Sequence, residues 1–518
     1  VNATKLARFI VRSLIESGVS QYVLSPGSRN APLSIALYEA SQLGLIELFV
    51  RIDERSAAFF ALGLSKSSDK YVAVVCTSGT ALANYHPAAL EAYHSDNKLL
   101  IVSADRPERL RRTGANQTTL HSGLLAPIPT IDTAIEIELA HHLRTGPVHL
   151  NLQFDEPLLA DSPSGWLDGI TQKPVTVNSL NREELSVDPK TLIIVGHDHA
   201  GIDIDLVNHF VESSHLPVIA EDPLSIPSAI AHASLFLSEP KIRSYLKPEQ
   251  IIIIGRTTLS RSINALIAEC SRLAVVDLRT ASIDTARVAD RILVSLPHIS
   301  TSPDTEWVAA WRTCGETPVV LPEWSEQLAI QTIAELLPDE SALFVASSRP
   351  IRDIEGFATP RSGLKCFANR GLAGIDGNIS TAFGIAANVE RSYAIIGDIT
   401  FLHDISALAA PVEANLTIFL IDNNGGGIFN TLEQAKVEGF EKLFGTPHNL
   451  DLGKAITGFG VSTQRVRGVS DLQRVINHPH TGLQVIVVEV PDRQANAAGI
   501  KSSTQSLVSA LLTGANLA

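Results

Sequence analysis

Two short stretches hold the side chains with the most chemical content. Gly397-Asp398 closes an apolar run at Ile395-Ile396, and Asn423-Asn424-Gly425 closes another at Leu416–Ile421. A helix-length segment lies between them, and Asp398 and Asn423 stand 25 positions apart. A short apolar run that ends in a turn reads as a buried strand. Two such strands joined through a helix form a βαβ unit, which brings both polar ends to one edge of a sheet. That edge offers a carboxylate, a carboxamide and exposed backbone carbonyls. All are hard oxygen donors, suited to Mg²⁺ or Mn²⁺ on a diphosphate rather than to zinc.

A further carboxylate, Glu54, stands where the strand Leu48–Ile52 gives way to Ser56–Leu64, a segment apolar almost all round and therefore a buried helix. Glu54 either complements the helix N-terminus, a structural job, or serves as an acid–base group. Asp53 points the other way along the strand and is the weaker candidate. Three more strand-to-helix turns carry candidates. Val75–Asn84 (V-C-T-S-G-T-A-L-A-N) is a strand, a small-residue turn around Gly79 and a helix, a shape that lets backbone approach a flat ring closely. Ser28-Arg29 precede a helix starting near Ala31, which gives an anion site of backbone amides plus a guanidinium. Ser347–Asp353 sets Ser348 and Arg352 behind the strand Leu343–Val345. Competing motifs are absent: there is no G-x-G-x-x-G, no phosphate-loop lysine motif and no H-E-x-x-H. Around Ser78, Cys76 and Thr80 fill the places where a nucleophile elbow has glycines. His141-His142 reads as a solvated helix face.

Positioning these residues takes three α/β blocks, each of apolar strands alternating with helical patterns. The first has strands near Tyr22–Leu24, Leu48–Ile52, Tyr71–Cys76 and Lys98–Ser103 and runs to about residue 160. A Ser/Pro/Asn/Asp-rich stretch, Asp161–Leu185, reads as a linker. The second spans 186–300, with strands Leu192–Val195, Ile251–Ile254 and Leu273–Val276 and a helix Leu259–Glu269. Ser300–Pro322 reads as a second connection. The third, 323–518, holds the helix Ser325–Leu337, the Gly-Asp…Asn-Asn unit and a last strand Gln484–Val490. A chain of 518 residues, 45% hydrophobic and 19% charged, has ample material for these cores. The net charge of −14 and the lack of a basic stripe argue against nucleic acid as a partner. No apolar run approaches the ~20 residues of a membrane helix, and the start of the chain interleaves charges at helical spacing, as an amphipathic helix does. Cys76, Cys270, Cys314 and Cys366 are scattered and read as reduced core residues of a cytoplasmic protein.

The Gly-Asp and Asn-Asn pair at this spacing resembles the cofactor motif of thiamin-diphosphate enzymes. L-S-P-G-S-R-N-A-P-L (Leu24–Leu33), S-A-D-R-P (Ser103–Pro107), G-A-N-Q-T (Gly114–Thr118) and N-R-G-L-A-G-I-D-G (Asn369–Gly377) together resemble one branch, the MenD family of 2-succinyl-5-enolpyruvyl-6-hydroxy-3-cyclohexene-1-carboxylate synthases. The resemblance is specific in the first and third blocks and loose in the central one. It implies a pyrimidine-binding domain, a central domain and a diphosphate-binding domain with mostly parallel sheets. It implies thiamin diphosphate held with Mg²⁺ or Mn²⁺ by Asp398, Asn423 and the Gly425 carbonyl. Glu54 is then the catalytic carboxylate that drives the aminopyrimidine to its imino form. Gly79, Ile375, Asp376, Thr400 and Ile428 become cofactor contacts, with Ile375 propping the bent cofactor. Ser28, Arg29, Arg106, Asn116, Gln117, Arg261, Ser348, Arg352, Arg370 and Phe429 become substrate contacts. Ile399 stands where most thiamin-diphosphate enzymes have a second glycine, which favours this branch over a pyruvate decarboxylase. The implied reaction decarboxylates 2-oxoglutarate and adds the succinyl unit 1,4 to isochorismate, a step of menaquinone biosynthesis. A homodimer, able to pair into a homotetramer, is the implied assembly. Two rivals stay open: an acetolactate-synthase-like carboligase, and a diphosphate-binding protein without catalysis, which would not need Glu54.

Overall fold

The structure, a computed structural model, describes residues 2–159, 165–171, 182–199, 201–279, 288–300 and 302–514. Strand pairing throughout is parallel, as the alternation of strands and helices demands. The N-terminal sheet comprises β1 (Gln21–Leu24), β2 (Glu47–Val50), β3 (Val72–Cys76), β4 (Leu99–Asp105), β5 (Thr130–Thr133) and β6 (Val148–Gln153), in the order β2-β1-β3-β4-β6-β5. A short pair joins β7 (Glu184–Ser186) to β13 (His298–Ser300). Between them in sequence lies a five-stranded sheet of β8 (Thr191–Val195), β9 (Val218–Ala220), β10 (Gln250–Ile254), β11 (Leu273–Val276) and β12 (Arg291–Leu293), ordered β12-β11-β10-β8-β9. The C-terminal sheet holds β14 (Ser341–Val345), β15 (Leu364–Phe367), β16 (Ser392–Gly397), β17 (Leu416–Asp422), β18 (Ser462–Val466) and β19 (Leu483–Glu489), ordered β15-β14-β16-β17-β19-β18. Numbered within themselves, both six-stranded sheets read 2-1-3-4-6-5.

The helices follow from their patterns. In α1 (Ala3–Glu16) Leu6, Ala7, Ile10, Val11 and Leu14 form the buried stripe, and Asn2 caps the start by accepting from Lys5 N. Pro32 sits in the first turn of α2 (Ala31–Gln42), where its missing N–H costs no helical bond. Helix α3 (Glu54–Ser68) is buried continuously from Ser56 to Ser65 and is capped by Asp53, whose carboxylate accepts from Ser56 N. Strand β17 is buried from Leu416 to Ile421, as a central parallel strand covered on both faces must be.

The chain forms two compact units: residues 1–178 with 369–390 and 403–414, and residues 179–368 with 391–402 and 415–518. The first unit therefore borrows the helix Asn378–Ala387 from late in the sequence. That helix packs on α3 through glycines. A Cβ on Gly63 would stand 2.1 Å from Thr381 O, and one on Gly384 2.1 Å from Phe60 O.

Several expectations need correction. His141-His142 are exposed but lie in a turn, not on a helix. Ser300–Pro322 is more than a connection, because Thr305–Glu316 is a helix that buries Trp307, Val308, Trp311 and Cys314 at spacings of one face. Cys76 and Cys314 are buried, whereas Cys270 and Cys366 are only half-buried; all four are free. The strand expected to reach Ile52 stops at Val50, and Ile52 is exposed. Of the expected linker, 161–164 and 172–181 lie outside the described residues, and Leu185 already belongs to β7.

Candidate functional site

At the carboxyl edge of the C-terminal sheet, β16 and β17 are neighbours, so Asp398 and Asn423 emerge side by side. Asp398 is buried; its Oδ1 accepts from Ile399 N at 2.6 Å and its Oδ2 from Gly425 N at 2.8 Å. Gly425 adopts φ +139°, and a side chain there would meet Gly445 O at 2.2 Å, so the 423–427 loop requires glycine at this point. The Gly425 carbonyl accepts from Gly427 N at 2.9 Å, which leaves its second lone pair. Asn423 donates from Nδ2 to Glu326 Oε2 at 3.1 Å. Its Oδ1 is buried and has no donor among the described residues. An orphaned carboxamide oxygen beside a buried carboxylate fits a hard divalent cation, which would satisfy both.

The same edge contains groups that the sequence reading passed over. His448 Nε2 lies 3.3 Å from Asp398 Oδ2 and 3.5 Å from Asp422 Oδ1, and the two carboxylates raise its pKa. These three groups are close enough together to share one ion. Behind Asn423, burial first and then the charge of Asp353 push Glu326 up to about 8. Thr400 is buried on the short helix after Asp398. Ile428 and Phe429 are half-buried in the turn Gly427–Thr431, with the Phe429 ring 5.4 Å from that of Phe444. Ser348 takes φ +76° at the turn after β14, and Arg352 NH1 donates to its carbonyl at 2.6 Å. Arg261 is exposed at the first position of a central-block helix, Arg261–Ala268.

In the first unit, Glu54 opens α3 and is half-buried. Its charge helps raise the pKa of buried Cys76 and Tyr85, behind burial as the main cause, so it lies close to the end of β3. Asp53 has its own employment as the helix cap and as acceptor from Ser406 Oγ at 2.8 Å. Arg51 is buried over the Phe60 ring, 3.8 Å from its centroid, and desolvation lowers it to about 10. The turn after β3 has Gly79 at φ +87°. Around it, Arg106 NH1 donates to Ser78 Oγ at 3.1 Å and to Gln117 O at 2.8 Å, and Gln117 Nε2 donates to Ser78 O at 3.1 Å. Arg29, buried, donates to Phe154 O at 3.1 Å. Desolvation and then the charge of Arg29 lower the Arg106 pKa. Arg29 also meets the exposed Glu156 carboxylate at 3.4 Å, and two neighbouring guanidiniums of this kind make a place that takes anions. Ser28, Asn116 and Gln117 are exposed nearby in sequence.

The loop 369–377 also belongs to this unit. Glu91, buried on the helix His86–Ser95, accepts from Gly371 N and Leu372 N, both at 2.7 Å, and so clamps the loop that carries Arg370, Ile375 and Asp376. Arg370 is buried, while Ile375 and Asp376 are half-buried. A cavity of about 500 Å³ opens beside the loop, lined among others by Phe59, His86, Leu372 and Asp376. Arg352 and Arg370, 18 positions apart in the chain, thus fall in different compact units. Glu91, His121, Glu326 and His448 were not expected. Glu326 alone left a signal, a carboxylate among the buried residues of the helix Glu326–Leu336.

Residues 4–124 match the family described as thiamine pyrophosphate enzyme, N-terminal TPP binding domain, and residues 355–490 match its C-terminal TPP binding domain. Relatives named 2-succinyl-5-enolpyruvyl-6-hydroxy-3-cyclohexene-1-carboxylate synthase align over nearly their whole length. One from Nocardioides sp. is 39% identical over 94% of this chain and 94% of its own. That of Thermobifida fusca is 35% identical over 98% and 99%, and that of Saccharopolyspora erythraea 34% over 99% and 100%. With identity of this level over nearly the whole chain, it belongs to the 2-succinyl-5-enolpyruvyl-6-hydroxy-3-cyclohexene-1-carboxylate synthase family of thiamin-diphosphate enzymes.

Proposed function

We propose that the chain catalyses the reaction its relatives are named for, in menaquinone biosynthesis in the cytoplasm: 2-oxoglutarate is decarboxylated and its succinyl unit is added 1,4 to isochorismate. The observation that carries this reading is the orphaned Asn423 Oδ1 beside buried Asp398, an oxygen site for the ion of a diphosphate cofactor. In the reading, Asp398, Asn423 and the Gly425 carbonyl hold Mg²⁺ or Mn²⁺, with His448 and Asp422 at its margin. Thiamin diphosphate, once bound, supplies the carbon nucleophile and electron sink that 2-oxo-acid decarboxylation needs. Glu54 holds a proton at the pyrimidine nitrogen, Gly79 lets that ring approach the backbone, and Ile375 props it; Asp376, Thr400 and Ile428 complete the cofactor contacts. Residues 1–160, 186–300 and 323–518 serve as pyrimidine-binding, central and diphosphate-binding domains.

A diacid donor needs a cation far from its reacting carbon. Arg352 and Arg370 take that role, with Ser348 and Phe429 alongside. Arg29 and Arg106, neighbouring guanidiniums of the first unit, take the acceptor's carboxylates with Ser28, Asn116 and Gln117. Arg261, exposed, is the central block's contribution. A homodimer, able to pair into a homotetramer, completes each centre with Glu54 from one copy and Asp398 from the other. Mixing inactive Glu54→Gln and Asp398→Ala chains then restores activity after subunit exchange, and full activity in a monodisperse monomer refutes the pairing. The test of the reaction itself is a mass balance of products from 2-oxoglutarate with and without isochorismate. Carboligation product with isochorismate, and poor use of pyruvate, is the expected result. Faster consumption of pyruvate than of 2-oxoglutarate gives the assignment to an acetolactate-type carboligase.

A further inference from the structure

Within the first unit, a histidine that takes no part in the proposed chemistry stands directly behind the turn that holds Arg106 and Gln117. His121 is fully buried, and its Nε2 lies 3.2 Å from Gly79 N. A backbone amide only donates, so Nε2 must carry the lone pair and the ring proton sits on Nδ1. Nδ1 is 2.9 Å from Asn151 Oδ1. The Asn151 carboxamide is oriented by the same logic: its Nδ2 lies 3.1 Å from both Asp105 Oδ2 and Asp132 Oδ1, which only accept. Arg111 binds the two carboxylates together, at 2.9 Å from Asp105 and 2.5 Å from Asp132. Ser103 Oγ donates to Asn151 Oδ1 at 2.7 Å and accepts from Nε2 of His149 at 2.8 Å; burial keeps His149 neutral, its pKa pulled down to about 3. Donation thus runs one way, from the nitrogen of Gly79 through His121 and Asn151 to two carboxylates that the Arg111 guanidinium also binds.

What the run supports is a turn that would not hold itself. Gln117 at φ +53° lies in the left-handed region, where a residue with a Cβ is held by its surroundings, and Gly79 at φ +87° beside it is free to take other conformations unless something holds it. The Gln117 carbonyl and amide and the Ser78 hydroxyl and carbonyl are all engaged with each other or with Arg106. The Gly79–His121 bond ties this cluster to β4 and β6 beneath it.

We propose that His121 is a positioning residue: its Nε2 lone pair holds the Ser78-Gly79 turn, and with it Arg106 and Gln117, in the geometry that receives the acceptor's carboxylate. The inference rests on the acceptor role given above to Arg106 and Gln117. Three variants separate the possibilities. His121→Gln keeps an oxygen that accepts from Gly79 N, His121→Leu removes the acceptor, and His121→Asn, too short to reach Gly79, keeps a polar group towards Asn151. The first readout is amide hydrogen exchange of peptides covering 76–84 and 99–105 in the full-length protein. Leu and Asn speed exchange in 76–84 by about tenfold, as loss of one buried hydrogen bond does, while Gln stays near the parent and 99–105 is unchanged. The second readout is kinetic, taken at saturating thiamin diphosphate because Gly79 also faces the cofactor in this reading. In Leu and Asn the KM for isochorismate rises at least about fivefold while kcat for acceptor-free decarboxylation of 2-oxoglutarate falls less than about twofold, and Gln rescues both. Parent-like exchange in 76–84 for both Leu and Asn overturns the proposal. So does equal loosening of 99–105 with parallel loss of decarboxylation, which marks His121 as a general core residue. If exchange responds as expected but the parent protein makes no product from isochorismate, the support of the turn stands and the acceptor assignment falls.

Discussion

The two six-stranded sheets have one strand order but opposite chemistry at their carboxyl edges. At the N-terminal sheet, the turn after β3 is backed by His121, Asn151, Asp105, Asp132 and Arg111, whose hydrogen bonds close on one another. At the C-terminal sheet, the loop after β17 leaves a buried oxygen of Asn423 without a donor among the described residues and holds the Glu326 carboxyl up to about 8. A flat ring is best received by a stiff, finished wall, whereas a cation needs lone pairs kept open for it. One topology thus yields two half-sites. Behind the first edge the polar groups from His121 to Arg111 bond one another, although Thr77 Oγ1 in the turn itself has no partner among the described residues. At the second, the open oxygen stands beside a buried carboxylate.

Breaking the open edge has the largest expected effect. Asp398→Ala removes the charged donor and abolishes saturable thiamin diphosphate binding in the presence of Mg²⁺, read by titration calorimetry; unchanged affinity equates the two edges and ends the contrast. Next comes Glu54→Gln, which leaves the fold intact and lowers turnover by ~10²–10⁴, the range of a positioned acid–base group. Proton exchange at the thiazolium carbon that stays as fast as in the parent makes Glu54 only a helix-start residue. Arg106→Ala lowers kcat/KM for isochorismate by about tenfold or more, since a charge-assisted contact to a carboxylate is worth roughly 1.5–3 kcal/mol. An equal loss with the donor varied and the acceptor saturating contradicts the separation of the two substrates. The smallest effect is that of Asp53→Ala, which removes the α3 cap and costs ~1 kcal/mol in denaturant unfolding without touching cofactor affinity.

The strands and the turns at their ends were legible because a parallel sheet buries both faces and writes itself as short apolar runs. Asp398, Asn423 and Gly79 were legible for the same reason, each standing where such a run stops. The helix Thr305–Glu316 was passed over on composition, although Trp307, Trp311 and Cys314 mark one face at helical spacing. His121, Asn151 and Glu91 had no such mark. Each is a single polar residue whose partner lies tens or hundreds of positions away, and no local period records that distance. Arg352 and Arg370 show the converse limit: proximity in sequence did not keep them in one compact unit.

The glycine crossing between α3 and the helix Asn378–Ala387 has a consequence for how the molecule is made. Gly63 and Gly384 meet backbone to backbone, and a Cβ on Gly377 would fall 1.9 Å from the Phe59 ring, so the two helices are mutual inserts rather than neighbours. During synthesis the ribosome releases α3 some three hundred residues before its complement exists. Until then Phe59, Phe60 and Leu64 face a missing partner, and the first unit waits as an incomplete intermediate exposed to aggregation and chaperones. The order of translation and the order of burial are therefore uncoupled here. A fragment cut at residue 178 keeps every strand of the first sheet yet lacks the piece that closes its core.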